Sequence, residues 1–286
     1  MSNFAIIGPG AVGSTIAYDL QHNQPNLKLL GRREQTLNFF VDGDSTNPHQ
    51  LTVTALNDCH EKFDVIFIAV KIPQLSKILS KLDHLLHQDT MIILAQNGHG
   101  QLSEFTHPFV YQAVVYISGQ KEKDKVTHFR DHKLILKDTP QTQALCKKLE
   151  NTPLKIQLTD DIEAAIWYKL LVNLAINSVT ALSRSTASVL TVPGIKNLCE
   201  NLLREGTEIA KFENVIFEEK IVTEIMTIYE GYPSEMGTSM YYDILEDKPL
   251  EIEGIQGFLY NKARLHNLKT PILDTIYPLL LAQQKH

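Results

Sequence analysis

Lys169, Asn173 and Asn177 stand at successive four-residue spacings in the stretch 160–182, DDIEAAIWYKLLVNLAINSVTAL. Read as a helix, each such step advances the face by only about 40°, so the three polar groups form one ladder. Ile166, Leu170, Leu171, Leu174, Ala175 and Ile176 are apolar around much of the circumference, which predicts a helix largely covered by protein. A lysine and two asparagines there are costly to bury unless something polar meets them. The chemistry on offer is proton donation from an ammonium, beside amides that bind oxygen-rich groups without adding net charge. The plain alternative is a solvent-facing stripe, so the elements elsewhere have to decide what the ladder faces.

A second chemical motif opens the chain. The apolar run 4–7 reads as a buried parallel strand, and it leads into Gly8-Pro9-Gly10-Ala11-Val12-Gly13 and a helix over 14–20. This is GxGxxG between strand and helix. The first glycine permits a tight turn, the second lets backbone approach a pyrophosphate, and the third lets helix pack on strand, with helix N–H groups offered to the phosphates. Gly8 to Gly13 are therefore the candidate dinucleotide site, stronger for standing at the head of an alternating α/β chain.

The second strand, 27–30, ends in Gly31-Arg32-Arg33. An NAD-binding fold usually places an acidic residue there for the ribose 2′-OH, whereas guanidinium suits a 2′-phosphate. Arg32 accordingly points to NADP(H) over NAD, with a solvated arginine pair as the alternative. Runs 51–56 and 64–70 read as strands, the latter ending at Lys71, and Ile72-Pro73-Gln74 opens a helix carrying Leu75, Ile78, Leu79 and Leu82. Another strand, 90–95, ends in Gln96-Asn97-Gly98. Two strands that discharge polar residues at one sheet edge fit a cofactor crevice, although Asn-Gly makes turns by itself. Strands are predicted over 109–117 and 126–136, with 119–125 as a turn-rich charged connection, then a helix over 142–151 and a strand over 155–158.

From residue 160 onward only helical periodicity remains, over 195–212, 218–231, 240–245, 253–266 and 272–284, with a loop at 231–239. The fold class is α/β: a Rossmann-type dinucleotide-binding domain, 1–159, then an all-helical domain, 160–286. At 286 residues the chain accommodates two such domains. A net charge of −6 argues against general affinity for nucleic acid or an anionic membrane. Cys59, Cys146 and Cys199 are far apart and odd in number, which favours reduced thiols in a cytoplasmic protein. No signal peptide is evident, and no apolar segment reaches about 20 residues, so no membrane span is expected.

Together these residues resemble the ketopantoate reductase (2-dehydropantoate 2-reductase) family over nearly the whole chain. The shared features are GPGAVG, Gly31-Arg32, Val70-Lys71-x2-Gln74, Gln96-Asn97-Gly98, and the helix Trp167-x-Lys169-x3-Asn173-x3-Asn177. Thr238-Ser239-Met240-x2-Asp243, Leu250-Glu251-Ile252 and Gly257 complete them. The glycine motif is common to many dehydrogenases, whereas the polar ladder combined with S-M-x2-D and a glutamate eight residues later is far more specific.

The resemblance implies NADPH-dependent reduction of 2-dehydropantoate to (R)-pantoate, a step towards pantothenate and coenzyme A. It implies Lys169 as the general acid that protonates the developing alkoxide. Asn173, Asn177 and Ser239 resemble substrate-binding positions, and Glu251 the carboxylate linking cofactor, lysine and substrate. Asn97 is similar to the residue beside the nicotinamide, Lys71 to one lining the cleft, and Gln74 belongs to the same cofactor-side motif. A homodimer through the helical domain is also implied. The chemistry is coherent, because hydride transfer creates an oxyanion that needs a proton or positive charge. A lysine with the ordinary pKa of about 10.4 becomes a better acid when desolvated or near a second cation, for which Lys71 is the candidate.

Two departures bear on substrate. Ala187 stands where the family often has a further polar contact, and Tyr116-Ile117-Ser118-Gly119-Gln120 replaces a Thr/His/Ala-rich stretch. Reduction of another branched 2-oxo acid is the main alternative, and a non-catalytic NADP-sensing protein is the second. His84-x2-His87 and His128-x3-His132 have metal-compatible spacings. The expectation is exposed histidines and no metal, with no carboxylate or cysteine to complete either set.

Overall fold

A computed structural model describes residues 2–44 and 46–284. The chain divides into two compact units, Met1–Gln96 with Gln101–Ile162, and Asn97–Gly100 with Glu163–His286.

The first unit is built on β1 (Phe4–Ile7), flanked in parallel by β2 (Lys28–Gly31) and β5 (Val65–Ile68). Along β1 the side chains alternate between two cores: Phe4 and Ile6 join one cluster, Ala5 and Ile7 the other. A strand covered on both faces has no polar alternation, which is why it reads as a continuous apolar run. Beyond β5 the sheet continues through β6 (Met91–Leu94) to β7 (Val110–Gln112). Beyond β2 it continues through β4 (His49–Ala55), β3 (Gln35–Phe40) and β9 (Lys125–Lys137) to β10 (Lys155–Thr159), and β8 (Val114–Glu122) pairs with β9. Helices α1 (Ala11–Leu20), α2 (Ile72–Leu79) and α3 (Pro140–Leu149) connect these strands. The start of α3 is set by a reciprocal capping box between Thr139 and Thr142.

One strand of this unit has no sequence expectation, and one expected connection fails. Strand β3 went unread, because its partners are remote: Phe39 faces His49 on antiparallel β4 and Val126 on parallel β9. The supposed connection 119–125 is mostly strand, since β8 runs to Glu122 and β9 starts at Lys125, leaving Lys123 and Asp124 as the turn. Glycine and charge mimic a loop there, but they belong to a hairpin with register shifts around Ser118.

In the second unit α4 (Ile162–Ser183) is followed by α5 (Ile195–Phe212), α6 (Ile221–Glu230), α7 (Ser239–Leu245), α8 (Gln256–Leu265) and α9 (Pro271–Gln283). Leu170, Leu171, Leu174 and Ala175 of α4 lie at the heart of the core cluster, together with Leu202, Leu203 and Ile209 of α5. A methyl group at Gly206 would sit 2.7 Å from Leu171 Cδ2 and 2.8 Å from Leu174 Cδ2, so α5 yields that volume to α4. The buried Tyr229 hydroxyl of α6 donates to the Val172 carbonyl at 2.8 Å. At 22 residues α4 passes the length and composition test for a membrane span, contrary to the expectation that no apolar segment is that long. Its apolar residues are those of the core, with 72% of the apolar window buried, and that burial accounts for the composition.

Candidate active site

The candidate cofactor residues of the glycine loop lie in the first unit. Gly8 has φ +109°, a conformation that strongly favours glycine, and an added Cβ would lie 2.7 Å from Val70 N and 2.8 Å from Ala69 C. The turn closes through Gly8 N–H to Leu30 O at 3.0 Å and Gly10 N–H to Gly8 O at 2.8 Å. Gly10 is the N-cap of α1 with no side-chain cap, so the first-turn N–H groups of Ala11, Val12 and Gly13 lack intrahelical acceptors and face the region an anion would occupy. Gly13 packs against the turn so closely that a Cβ would stand 2.1 Å from Gly8 O. The Pro9 ring lies over Gly31, where an added Cβ would be 3.0 Å from Pro9 Cγ, and the exposed Arg32 follows directly.

The same sheet edge holds the end of β5. Gly8 abuts Ala69 and Val70, and Lys71 comes next, half-buried, as the N-cap of α2. The buried Gln96 at the end of β6 donates through Nε2 to Val70 O at 2.6 Å. Gln74 is exposed on the first turn of α2, with its N–H donated to Lys71 O at 2.8 Å. The glycine loop, Lys71 and Gln96 therefore occupy one patch, with Arg32 at its side.

The polar ladder belongs to the second unit. Lys169 and Asn173 are partly exposed on α4 and Asn177 is buried, while Leu170, Leu174 and their neighbours face the core. Ser239 is the exposed first residue of α7, and its position is fixed by the preceding residue. Thr238 caps α7 by accepting the Tyr241 N–H at 3.2 Å, and its hydroxyl is hydrogen-bonded to that of Thr180 on α4 at 2.7 Å. Thr180 lies three residues beyond Asn177, about 4.5 Å along the helix axis, so this bond pins the α7 N-terminus at the Asn177 end of the ladder.

The segments that carry Asn97 and Glu251 are joined by backbone packing at Gly98 and Gly254. Gly98, at φ +90°, approaches Gly254 so closely that a Cβ would be 2.6 Å from Gly254 O, and the His99 N–H donates to that oxygen at 3.0 Å. The His99 ring stacks on Phe258 with centroids 4.4 Å apart, lies 6.1 Å from the Trp167 ring, and meets Glu163 at 2.9 Å. The Asn97–Gly100 loop is thereby seated against the turn of α4 that precedes Lys169. Glu251 is 9% exposed and lies between Leu250 and Ile252, both core residues, just before the short 3-10 turn Ile252–Gly254. A carboxylate at that depth requires polar company.

Comparison with known proteins fits this arrangement along the chain. Residues 4–140 match the family described as Ketopantoate reductase PanE/ApbA, and residues 161–284 match Ketopantoate reductase PanE/ApbA C terminal. The structure of a dimeric ketopantoate reductase from Staphylococcus aureus is 51% identical, with a TM-score of 0.96, over 99% of this chain and 98% of that one. The chain belongs to the ketopantoate reductase family. It is an oxidoreductase by that membership. The 2-dehydropantoate 2-reductase of Mycobacterium tuberculosis is 27% identical over 98% of this chain and 97% of its own length. The fold extends further: a D-mandelate dehydrogenase solved with NADH and anilino(oxo)acetate superposes with a TM-score of 0.87 at 21% identity, over 99% and 98% of the two chains.

Against the ketopantoate reductase family pattern, the structure adds anchors that sequence reading missed. Thr180 and Thr238 hold α7 to α4, His99 holds the Asn97 loop, and Lys121 Nζ donates to Pro9 O at 2.5 Å. The Lys121 contact puts an ammonium against the glycine loop from 112 residues away, and no local signal marks it. Ala187, the family departure, is 4% exposed and donates its N–H to Met236 O at 2.9 Å. It borders a concavity of about 520 Å³ that also includes Pro193, Lys196, Tyr229 and Tyr232, and none of the predicted site residues.

The histidine expectation needs correction. His84 is exposed and contacts Cys59 O at 3.0 Å, while His87 pairs with a carboxylate, Asp64, at 3.2 Å. His128, however, is fully buried, and carboxylates do complete the second set: Asp42 meets His128 at 3.1 Å and Asp19 meets His132 at 2.9 Å. Asp42 comes from the turn after β3 and Asp19 from α1, so sequence spacing within 128–132 concealed both. Burial pushes the Asp19 carboxyl up to about 6, against the lowering effect of the His132 hydrogen bond and charge.

Proposed function

We propose that this family member catalyses NADPH-dependent reduction of 2-dehydropantoate to (R)-pantoate. The observation that carries the reading is the Lys169–Asn173–Asn177 ladder: a polar face, partly exposed at Lys169 and Asn173 and buried at Asn177, on an otherwise core-packed helix, with the Ser239 helix pinned at its Asn177 end. Such a face is worth maintaining on a core helix when a polar substrate occupies it.

The glycine loop and the N-terminus of α1 hold the cofactor pyrophosphate, and Arg32 pairs with the 2′-phosphate of NADPH. The bound nicotinamide supplies hydride to the substrate carbonyl carbon. Lys169 delivers the proton to the resulting alkoxide, with Lys71 as the second cation that favours its release. Asn173, Asn177 and Ser239 would grip hydroxyl and carboxylate oxygens, Asn97 would serve the cofactor, and Glu251 would orient the Lys169 ammonium. The Staphylococcus aureus relative is described as dimeric, and a homodimer is the corresponding reading here.

The test is loss of NADPH absorbance with purified protein and 2-dehydropantoate, run beside NADH and a panel of branched and aryl 2-oxo acids. Turnover of 2-dehydropantoate with preference for NADPH is expected. Turnover of another 2-oxo acid alone gives the second reading, a different substrate on the same machinery, which the apolar Ala187 favours. NADPH binding without any turnover would mark a sensing protein.

A further inference from the structure

Outside the reductase machinery, the first unit gathers four side chains whose geometry matches a metal centre. Two of them, His128 and His132, are four residues apart on β9, where a regular strand would separate them by about 13 Å. Their ring centroids are 4.0 Å apart instead. The strand is bulged between them, its pairing with β8 shifting register on either side of Ser118, and Asp131 takes the left-handed φ of 65°. Asp42 reaches the same point from the turn after β3, itself at φ 51°, and Gly43 N–H ties that turn to His128 O at 2.8 Å.

We propose that Asp42, His128 and His132 form a binding site for a divalent transition ion, zinc in the first instance. The three ligand atoms lie within 4.8 Å of one another. Around zinc, ligands at about 2.0–2.1 Å sit roughly 3.3 Å apart, so the set has to draw in by up to about 1.5 Å, within reach of side-chain rotation on the exposed Asp42. Asp42 Oδ1 already stands 3.1 Å from His128 Nδ1 and 4.0 Å from His132 Nε2.

The outer contacts are also those of a metal site. A ligating histidine donates its other ring N–H to a carbonyl or carboxylate, which fixes tautomer and orientation. His128 Nε2 meets the Asp131 carbonyl at 2.9 Å, and His132 Nδ1 meets Asp19 Oδ2 at 2.9 Å. Both rings thus have one nitrogen committed outward and the other turned toward Asp42. For His128 both nitrogens face oxygen acceptors, yet a neutral imidazole carries a single N–H. With the N–H on Nε2 given to the Asp131 carbonyl, the Nδ1 lone pair faces Asp42, and a metal ion between them satisfies both. The ion serves both histidines and the carboxylate at once. Borderline nitrogen and oxygen donors of this kind suit zinc over calcium or magnesium.

Asp19 lies about 12 Å along α1 from Ala11, at the far end from the glycine loop. An ion here staples the end of α1, the β3 turn and the kink of β9, and acts on stability, leaving hydride transfer untouched.

The test uses full-length protein freed of metal by chelation, titrated with zinc chloride by calorimetry and followed by thermal denaturation. Cobalt(II) serves as the coloured probe of coordination. One zinc per chain with micromolar or tighter affinity is expected, with Tm raised by several degrees in excess zinc. Asp42→Asn and His132→Gln should each lower affinity at least about tenfold. Asp42 is largely exposed, so its variant should keep the metal-free Tm and separate ligation from folding. A His84→Ala/His87→Ala variant should bind zinc unchanged. Failure of the wild type to bind one zinc at micromolar concentration would overturn the proposal, as would equal affinity in Asp42→Asn. Either result would leave the cluster as a proton-sharing hydrogen-bond network.

Discussion

Gly10 and Gly13 lie three residues apart in one motif, but the structure assigns them different constraints, and alanine at each separates them. At Gly13 an added methyl would stand 2.1 Å from Gly8 O, against 3.4 Å where ordinary contact begins. The obstacle is backbone, so the turn or the helix must move by about 1 Å, and overpacking of that kind typically costs about 1–3 kcal/mol. Better helix propensity returns at most about 1 kcal/mol. Gly13→Ala should therefore lose about 2 kcal/mol, or about 4–8 °C in Tm, and bind NADPH poorly because the turn is displaced. At Gly10 nothing lies within 4 Å of the added methyl, and φ −88° with ψ −167° is open to any residue. Gly10→Ala should cost no more than about 1 kcal/mol, as a weaker N-cap. Its methyl occupies the space reserved for the pyrophosphate, so NADPH affinity should fall at least about tenfold, equivalent to about 1.4 kcal/mol. Differential scanning fluorimetry and NADPH fluorescence titration on the same samples provide both readings. Wild-type NADPH affinity in Gly10→Ala would refute the placement of the pyrophosphate against residue 10. A large loss of Tm in that variant would refute the claim of open space.

Lys169→Ala should lower kcat by about 10² to 10⁴, the usual consequence of losing a general acid, while NADPH binding stays within about twofold on the same scale of reasoning. Wild-type turnover in a steady-state assay would remove Lys169 from its role. Arg32→Ala should weaken NADPH binding much more than NADH binding, and titrations showing equal losses would reject the 2′-phosphate contact. Thr180→Val and Thr238→Val should each cost about 1 kcal/mol in denaturant unfolding and raise KM by displacing Ser239. Their double variant should cost less than the sum, and strict additivity would mean the 2.7 Å hydroxyl pair is not coupled. Glu205 accepts the Ile272 and Leu273 N–H groups at 2.9 and 2.8 Å where α9 begins. Glu205→Ala should destabilise by about 1–3 kcal/mol and Glu205→Gln by much less, and equal Tm values for the two would sink that assignment.

Sequence reading succeeded where a local pattern carried the structural cause. The run 4–7 is wholly apolar because β1 is covered on both faces, and Gly8 and Gly13 of GPGAVG stand where a Cβ would strike backbone. The ladder on α4 follows from helical periodicity alone. What escaped notice depends on partners distant in the chain. Strand β3 is short and is organised by β4 and β9. Lys121 sits in a stretch whose glycine and charges imitate a turn, and its contact with Pro9 exists only once β8 lies beside α1. Asp42 and Asp19 join His128 and His132 across a sheet register that no spacing rule encodes. Thr238 carries no mark in the sequence beyond its place beside Ser239, although it holds the bond that positions that serine.

The double duty of α4 bears on how members of such a family change substrate. Its ladder residues alternate, turn by turn, with side chains that fill the centre of the helical unit, among them Leu170, Leu171 and Leu174. A mutation in this helix that reshapes the binding face also disturbs the packing behind it, so selection has little freedom there. The α7 N-terminus is joined to α4 through one hydroxyl pair, and the turn beginning at Ala187 through a separate short segment. Evolutionary drift in specificity should therefore collect at these borders, while Lys169, Asn173 and Asn177 are inherited as a block.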